Sequence, residues 1–353
     1  MIKNCDFRII KWFVTGSFVI CMIATATQIL NSSQVLACVD KAETPKSQTA
    51  KRFPSIAFGE LASPVGKLTF VQRTTLPIVP SEVQVYKVQP LASKKEAFLK
   101  IFKALPIESS SDTNAKLQKL ERAPESSMEN EKSISASIGG WTVQIWNGGQ
   151  FTIYNNELSD HLYDLNNTST APAPEEARKT ADDFLAIIGS LPMDIQFSKV
   201  SPGDTITFGL GDKPNDTIVK ILVVSYSAIL NGIPVHGSVS IRVGAGPSVV
   251  SMTSRLRSVV PDSSIALLSP QEAFGKLKAG GGRISDGPVW NATANVTSMK
   301  LVYWQGAPAQ DLSYVMPIYL FEGEAVADGK KTVPWRAYVE AIRPEFLETE
   351  PSH

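Results

Sequence analysis

Three histidines are the side chains of this sequence best suited to acid–base chemistry. Ser159, Asp160 and His161 supply the residue types of a nucleophilic triad. Consecutive side chains diverge, however, and cannot align as nucleophile, base and orienting acid, so a turn is the better interpretation. His236 alternates with apolar residues, which predicts the solvent-facing side of a strand and titration near neutral pH. We predict that His353 is disordered, and that no histidine is catalytic.

Acidic residues offer a second kind of site, for a cation. Glu175–Glu176 and Asp182–Asp183 are neighbours on a predicted helix. Adjacent helical side chains do not converge on one point, so a solvated face is favoured. Glu322 and Glu324 lie where a predicted strand runs into a turn and could bind a cation, but this is the less favoured interpretation. The sequence therefore predicts no metal and no cofactor.

Motifs for phosphate binding and hydrolysis are missing from the sequence. Gly280–Gly282 follows a predicted helix, which suits a helix end rather than a phosphate cradle. No Gly-x-Ser-x-Gly or His-Glu-x-x-His sequence occurs. The 353 residues include 34 basic and 34 acidic side chains, a net charge of zero. Without a basic field to attract phosphates, we predict that the protein binds no nucleic acid.

Tryptophans are candidates for a groove that takes a sugar or a peptide. Trp141 and Trp146 have an odd separation on one predicted strand, so they face opposite sides and at most one is buried beneath a helix. A tryptophan on the exposed face would be a binding candidate, although core packing is favoured for each. The other candidates are Trp290, Trp304 and Trp335.

The first 38 residues have the pattern of an export signal or a membrane anchor. Lys3, Arg8 and Lys11 precede the apolar stretch Trp12–Leu30, and this order predicts a cytoplasmic N-terminus. The stretch is at the lower limit for a membrane-spanning helix. Ala24–Ala26 has the small-x-small form of a cleavage site. We therefore place the protein at the extracytoplasmic face of a bacterial cell membrane, or outside the cell.

Cys38 is the candidate lipid anchor. It follows Val35–Ala37 in a sequence that resembles a lipoprotein signal, in which Cys38 would be acylated and become the new N-terminus. Cys5, Cys21 and Cys38 are the only cysteines, so nothing after Cys38 forms a disulfide or a thiolate zinc site. Cleaved secretion, lipidation and an uncleaved anchor all remain open.

Three segments have the signals of a helix start. Ser93 with Glu96, and Ser269 with Glu272, form capping boxes in which each side chain satisfies a free backbone amide. Pro174 suits the first position of the remaining helix. The apolar residues that follow recur at helical spacing and form one stripe on each helix. The sequence therefore predicts three amphipathic helices.

Strand-like sequence follows each predicted helix. Asn147–Gly149 and Asn231–Gly232 are hairpin signals, and alternation within Val235–Val243 predicts one buried and one solvated face. Helices followed by antiparallel strands predict an α+β fold of repeated helix-plus-sheet units, with the helices packed on one face of the sheets.

The predicted domain boundaries follow from these patterns. Residues 1–38 are a signal or anchor and residues 39–80 a polar tether. The first α+β unit spans residues 81–168, with a mobile insert near residues 109–137. Tandem units span residues 172–343, and residues 344–353 are a tail.

A run in the middle of the chain resembles PepSY and related propeptide domains. Its "NGxPVxG" hairpin, strand, turn and "VxS" strand correspond to Asn231–Gly237, Val239–Val243 and Val249–Ser251. Leu268–Ala273 resembles the helix that opens a further unit, and the arrangement is similar to extracytoplasmic regulators of the YycH/YycI kind. The resemblance implies a binding or inhibitory module without its own chemistry.

We therefore predict an exported, non-catalytic binding or regulatory protein that acts on an extracytoplasmic protein partner near the membrane. The alternative is a cell-wall or carbohydrate-binding lipoprotein, which the export signal and the tryptophans favour. An unrecognised hydrolase is a third hypothesis and would need convergent polar groups in a deep cleft.

Overall fold

A computed structural model describes residues 51–56, 58, 66–125, 131–162, 169–189, 191–208, 216–307 and 309–348. The predicted signal or anchor at residues 1–38, including Cys38, lies outside these residues, and so does His353. Within the described part of the chain, no helix has both the length and the apolar character needed to cross a membrane.

Strands outnumber helices among the described residues. The helices are α1 (Lys94–Ala104), α2 (Ser111–Arg122), α3 (Asn156–Leu162), α4 (Pro174–Ile188) and α5 (Pro270–Lys278), and a short 3-10 helix spans Pro344–Phe346. The strands are β1 (Leu68–Gln72), β2 (Glu82–Val88), β3 (Ser133–Ile138), β4 (Trp141–Trp146), β5 (Phe151–Asn155), β6 (Ile195–Pro202), β7 (Thr205–Phe208), β8 (Asp216–Val219), β9 (Leu222–Leu230), β10 (Ile233–Pro234), β11 (Val239–Gly244), β12 (Ser248–Ser254), β13 (Val259–Ala266), β14 (Arg283–Asp286), β15 (Ala292–Trp304), β16 (Tyr314–Val326) and β17 (Val333–Glu340).

An eight-stranded antiparallel sheet carries the first hydrophobic core. Its order is β10-β9-β11-β12-β5-β4-β3, and β6 also pairs with β9. Helices α1 and α4 pack on one face, α1 through Phe98 and Phe102 and α4 through Ala181 and Phe184. Alternate residues of the strands meet these helices, which follows from the two-residue period of a strand.

A seven-stranded sheet carries the second core. Its order is β1-β15-β16-β17-β14, with β2 joining β16 to β13. All of its pairs are antiparallel except β1 with β15. Helix α5 contributes Phe274 and Leu277 to this core, and Phe53 and Ile56 are also buried in it. A separate two-stranded sheet joins β7 to β8.

The predicted fold of repeated helix-plus-sheet units is wrong. The protein is mostly β, with two large, mostly antiparallel sheets and few helices. Strand β5 pairs with β12, almost a hundred residues later, and β2 pairs with both β13 and β16. A short meander leaves unpaired amides and carbonyls at its edges, and here pairing between distant segments satisfies them. The predicted units therefore merge into two continuous sheets.

Three predicted loop regions contain ordered structure. Residues 109–137 include helix α2 and much of β3, because Leu117 and Leu120 pack against the first core. Residues 39–80 include β1, and the Phe53 amide donates to Phe346 in the predicted tail. The Glu348 amide donates back to the Phe53 carbonyl, so both segments are held by backbone pairing.

The predicted helix ends are confirmed at several positions. The Ser93 hydroxyl accepts from the Glu96 amide, and Ser269 with Glu272 forms a complete capping box. Gly280 ends α5 with φ of 84°, a left-handed conformation that favours glycine. Its amide donates to Leu277, and the Gly281 amide donates to Lys276, which is a Schellman motif.

The Ser269 cap gives a quantitative expectation. The substitution Ser269→Ala should lower the free energy of unfolding by about 1 kcal/mol, because it leaves a first-turn amide unsatisfied. The substitution Ser269→Asp keeps an acceptor and should restore most of this loss. Urea denaturation of both variants measures the difference, and an equal loss in both would contradict the role of the cap.

Candidate functional site

A cleft of about 1020 Å³ opens at one end of the eight-stranded sheet. Helices α2, α3 and α4 provide its walls, together with the turns between β3 and β4 and between β11 and β12. We call this the acidic cleft. Its lining comprises Pro106, Glu108, Ser110, Asp112, Thr113, Lys116, Gly139, Gly140, Trp141, Asn155, Glu157, Leu158, Glu176, Lys179, Thr180, Asp183, Phe184, Ile187, Pro247, Ser248 and Val249.

The start of α2 forms one wall. Ser110 is the N-cap, and its hydroxyl accepts from the Thr113 amide at 3.1 Å and donates to the Thr113 hydroxyl at 2.9 Å. Asp112 lies in the first turn, where the helix dipole favours a negative charge. Lys116, one turn later, pairs with Asp112 at 2.8 Å.

The β3–β4 turn and α3 form a second wall. Gly139 and Gly140 have φ of 55° and 77°, and two consecutive positive φ values identify the tight turn of a two-residue hairpin. The Gly140 carbonyl accepts from the Asn156 amide at 2.8 Å, which joins the turn to the start of α3. Glu157 lies in the first turn of α3 and is exposed.

Helix α4 forms the third wall and much of the floor. Its polar side presents Glu176, Lys179 and Asp183, and Lys179 donates to Asp183 at 2.7 Å. This hydrogen bond raises the pKa of Lys179. On the floor, the Phe184 ring stacks on Trp141 with 5.9 Å between centroids. Ile187 remains 46% exposed, so the cleft combines charged walls with apolar surface.

The cleft has an excess of negative charge. Five carboxylates and two ammonium groups line it. The two ammonium groups pair with Asp112 and Asp183. Glu108, Glu157 and Glu176 have no ion-pair partner among the residues that the structure describes. These three carboxylates come from separate elements, so the negative charge is distributed around the cleft.

The lining determines which chemistry is accessible. Among its described residues there is no histidine or cysteine. Nowhere in the described ranges do three acidic, histidine or cysteine side chains come close enough to hold a metal ion. A single metal ion needs several carboxylates converging on one point. Carboxylates that are spread around the cleft instead suit an extended ligand with several positive charges.

His236 does not occupy the predicted solvent-facing strand position. It lies between β10 and β11, where its amide donates to Tyr303 of the other sheet at 2.9 Å. Its ring stacks on Trp304, and its Nε2 lies 3.2 Å from the Tyr338 hydroxyl. Burial, together with the positive charge of nearby arginines, lowers the pKa of His236 to about 4. Packing against Trp304 and Tyr338 half-buries the ring and therefore disfavours titration near neutral pH.

The other candidate histidine lies in α3, and one member of each acidic pair, Glu176 and Asp183, lines the cleft. Ser159, Asp160 and His161 are consecutive residues of α3 rather than a turn, and they stay on different sides of the helix. In α4, Asp182 accepts from the Tyr226 hydroxyl at 2.6 Å. Burial, with help from this contact, raises the pKa of Tyr226.

Glu322 is engaged within the protein. It accepts from Arg336 at 3.1 Å and lies 3.4 Å from the Lys300 ammonium group. Burial raises the pKa of Glu322, but these two cations more than offset it, so the pKa is lowered. Glu324 is exposed on the same strand, two residues away. The pairing of Glu322 neutralises the charge that a bound cation would need.

The candidate tryptophans do not come together in one groove. Trp141 and Trp335 are buried in separate cores, with 6% and 2% exposure. The remaining three, Trp146, Trp290 and Trp304, are half-buried and dispersed over β4, the β14–β15 loop and β15. Of the five, Trp141 alone lines the acidic cleft, where its ring packs beneath Phe184.

Sequence reasoning missed Glu108 and Glu157 as candidate binding residues. Glu157 could have been noticed as a first-turn acid, but no pattern in the sequence indicates α3. Glu108 lies in the loop that directly precedes the predicted mobile insert, where no pattern marks a binding residue. Their common location depends in part on the pairing of β5 with β12, which no local pattern encodes.

The fold and the cleft define a two-sheet β protein with an open, acidic, partly apolar cleft. The chain matches no model of a protein family, and no curated protein is similar to it. A solved structure of an uncharacterised protein from Eubacterium rectale is similar over 77% of this chain and 86% of that chain, with 11% sequence identity and a TM-score of 0.33.

Proposed function

We propose that this protein is an exported, non-catalytic binding protein whose acidic cleft holds a cationic segment of an extracytoplasmic protein partner. The observation that carries the proposal is the excess of separated carboxylates in a cleft of about 1020 Å³. A cleft of this volume accommodates several residues of a polypeptide, since small-molecule sites are typically at or below roughly 1,000 Å³.

The apolar part of the cleft narrows the kind of segment. Ile187, with Phe184 and Trp141 below it, offers a surface for an aliphatic or aromatic side chain. Charged groups across an interface provide specificity and fast association, while buried apolar anchors provide most of the affinity. The preferred ligand is therefore a segment in which lysine or arginine alternates with large apolar residues.

Two sequence features support the extracytoplasmic location and the regulatory role. Basic residues precede an apolar stretch in the first 38 residues, as in export signals. The run from Asn231 to Ser251 resembles PepSY domains, and that resemblance implies a binding or inhibitory module. Anchoring through Cys38 is part of the same proposal, and the intact mass of protein extracted from membranes tests it.

Charge reversal in the cleft tests the binding proposal. The triple variant Glu108→Lys, Glu157→Lys and Glu176→Lys should bind a fluorescent lysine- and leucine-containing peptide at least about tenfold more weakly than the wild type. Fluorescence anisotropy measures the affinity. The wild-type affinity should also fall as salt increases, because exposed charge pairs are screened.

A matched control separates the cleft from overall charge. The variant Glu324→Lys, Asp328→Lys and Glu345→Lys changes the net charge equally, at exposed positions outside the cleft lining. It should bind the peptide with an affinity close to that of the wild type. Equal weakening in both triple variants, or no binding of the peptide to the wild type, would exclude the cleft as the binding site.

A further inference from the structure

The face of the eight-stranded sheet opposite α1 and α4 carries a row of uncharged polar side chains. Cross-strand register places one such residue on each of six neighbouring strands, from β3 to β9. We call them the polar row. In spatial order they are Ser135, Gln144, Thr152, Thr253, Ser240 and Ser225.

The orientation of the row follows from strand alternation. Successive side chains point to opposite sides of a sheet, and the neighbours of the row in sequence are buried in the first core. Val143, Ile153, Met252, Ile241 and Val224 are each 0% exposed and belong to that core. Ser135 is exposed, and four other members of the row are half-buried, as small side chains on an open sheet face are.

The row is uncharged and retains hydrogen-bonding capacity. Gln144 donates to Ser133 at 3.1 Å, which leaves its amide oxygen available. The Thr152 hydroxyl, on a residue that is 5% exposed, has no hydrogen-bond partner within the described part of the chain. Charged residues on or beside this face include Lys199, at the β6 end, Arg242, which pairs with Asp204, and the exposed Arg255, two residues beyond Thr253.

Two aromatic side chains flank the row on opposite sides. Tyr154 is two residues from Thr152 on β5 and is 42% exposed. Trp146 is two residues from Gln144 on β4 and is half-buried. Both therefore project from the same face as the row. Such rings present apolar surface for stacking together with a polar group for hydrogen bonding.

We propose that this face binds an uncharged polysaccharide, with the chain lying along the polar row. Neighbouring strands are about 4.8 Å apart, which is close to the length of one sugar ring in an extended glycan. Successive sugars would meet the hydroxyl and amide groups of the five accessible members of the row, on either side of buried Thr152, and Tyr154 and Trp146 would stack on ring faces. An uncharged ligand is favoured because the row has no charge to neutralise a phosphate, a carboxylate or an amine.

This surface is separate from the acidic cleft in location and in chemistry. The cleft lies on the helical side of the sheet and attracts positive charge, whereas the row lies on the open side and offers neutral hydrogen bonds. Glycan binding should therefore persist at about 1 M salt, where the screening length falls to roughly 3 Å. Cationic-peptide binding should not persist there, so the two proposals can fail independently.

The test is retention of the full-length protein on insoluble, uncharged polysaccharides, with cellulose, chitin, xylan and β-1,3-glucan as the probes. We expect wild-type retention on at least one of them at high salt. The substitutions Tyr154→Ala and Trp146→Ala together should lower the affinity at least about tenfold, since each removes an aromatic contact.

The substitution Phe197→Ala is the matched control, because Phe197 is 38% exposed on β6 but is not beside the row. It should retain wild-type binding, and circular dichroism confirms that all variants are folded. The proposal is overturned if the wild type is retained on none of the four polysaccharides, or if the control loses as much affinity as the double variant. Dissociation of an oligomer by Tyr154→Ala, without glycan retention, would identify the face as an interface between copies instead.

Discussion

The substitution Arg257→Ala is expected to lower the free energy of unfolding by about 4 kcal/mol, because it leaves several buried acceptors without a donor. Arg257 is 2% exposed and follows β12 on the path to the seven-stranded sheet. Its guanidinium group donates to the carbonyls of Gln305, Ala307 and Gln310 at 3.0, 3.3 and 2.6 Å. The side-chain amide of buried Gln150 lies against the same guanidinium group, and turning that amide by 180° would let its oxygen accept from Arg257.

The effect is large because one side chain fixes several segments. Residues 305–310 belong to the connection between β15 and β16 in the seven-stranded sheet, whereas Gln150 precedes β5 in the eight-stranded sheet. Burial lowers the pKa of Arg257 to about 10, but the group remains charged at neutral pH. Loss of the guanidinium group should therefore weaken the junction between the two sheets.

Guanidine denaturation at neutral pH measures this expectation. Arg255→Ala is the control, since Arg255 is exposed two residues earlier and a surface substitution usually changes stability by less than about 0.5 kcal/mol. Arg257→Lys should recover only part of the loss, because a single ammonium group cannot reproduce the planar fork of donors. Equal stability of the two alanine variants would disprove the proposed role of Arg257.

The second large effect is a loss of stability in acid that depends on His236. Its folded pKa of about 4 lies below the ordinary value of 6.5. The unfolded chain therefore binds a proton between these two pH values and the folded protein does not. The stability contributed by neutral His236 is complete above pH 6.5, falls as the pH drops toward 4, and is lost below it. This difference between the folded and unfolded pKa of His236 corresponds to about 3 kcal/mol of unfolding free energy.

The groups around His236 explain the direction of the shift. The ring is stacked on Trp304 and contacts Tyr338, and Phe58 packs on both of these side chains. Burial is the main cause, Arg336 and Arg255 add to it, and Glu322 opposes it. Protonation would place a positive charge among aromatic rings and near two arginines.

Comparison with His236→Gln isolates this contribution from that of the carboxylates. Glutamine retains a polar group at the position but does not titrate. Between pH 6.5 and 4, the wild type should lose about 3 kcal/mol more unfolding free energy than the variant. Denaturant unfolding at closely spaced pH values gives both curves, and parallel curves would show that His236 does not control stability in this range.

Local patterns predicted the parts of the fold that depend on nearby residues. The N-cap at Ser93, the full capping box at Ser269 and the helix end at Gly280 were correct, whereas the return bond of Glu96 to Ser93 is not formed; the correct features each involve contacts within one or two turns. The same reasoning failed for residues 109–137, where polar composition concealed α2. Among the described residues of that region, four apolar side chains, including Leu117 and Leu120, pack against the first core.

The sequence by itself determined where several helices start and stop, which residues of many strands are buried, and that the early part of the chain has the pattern of an export signal. Tertiary structure alone decided that β5 joins β12, that His236 is enclosed by residues of another sheet, and that Glu108, Glu157 and Glu176 share one cleft. The reason is physical. Caps and turns are stabilised by atoms a few residues apart, whereas strand pairing, burial and charge clustering depend on neighbours that the chain brings together only when it folds.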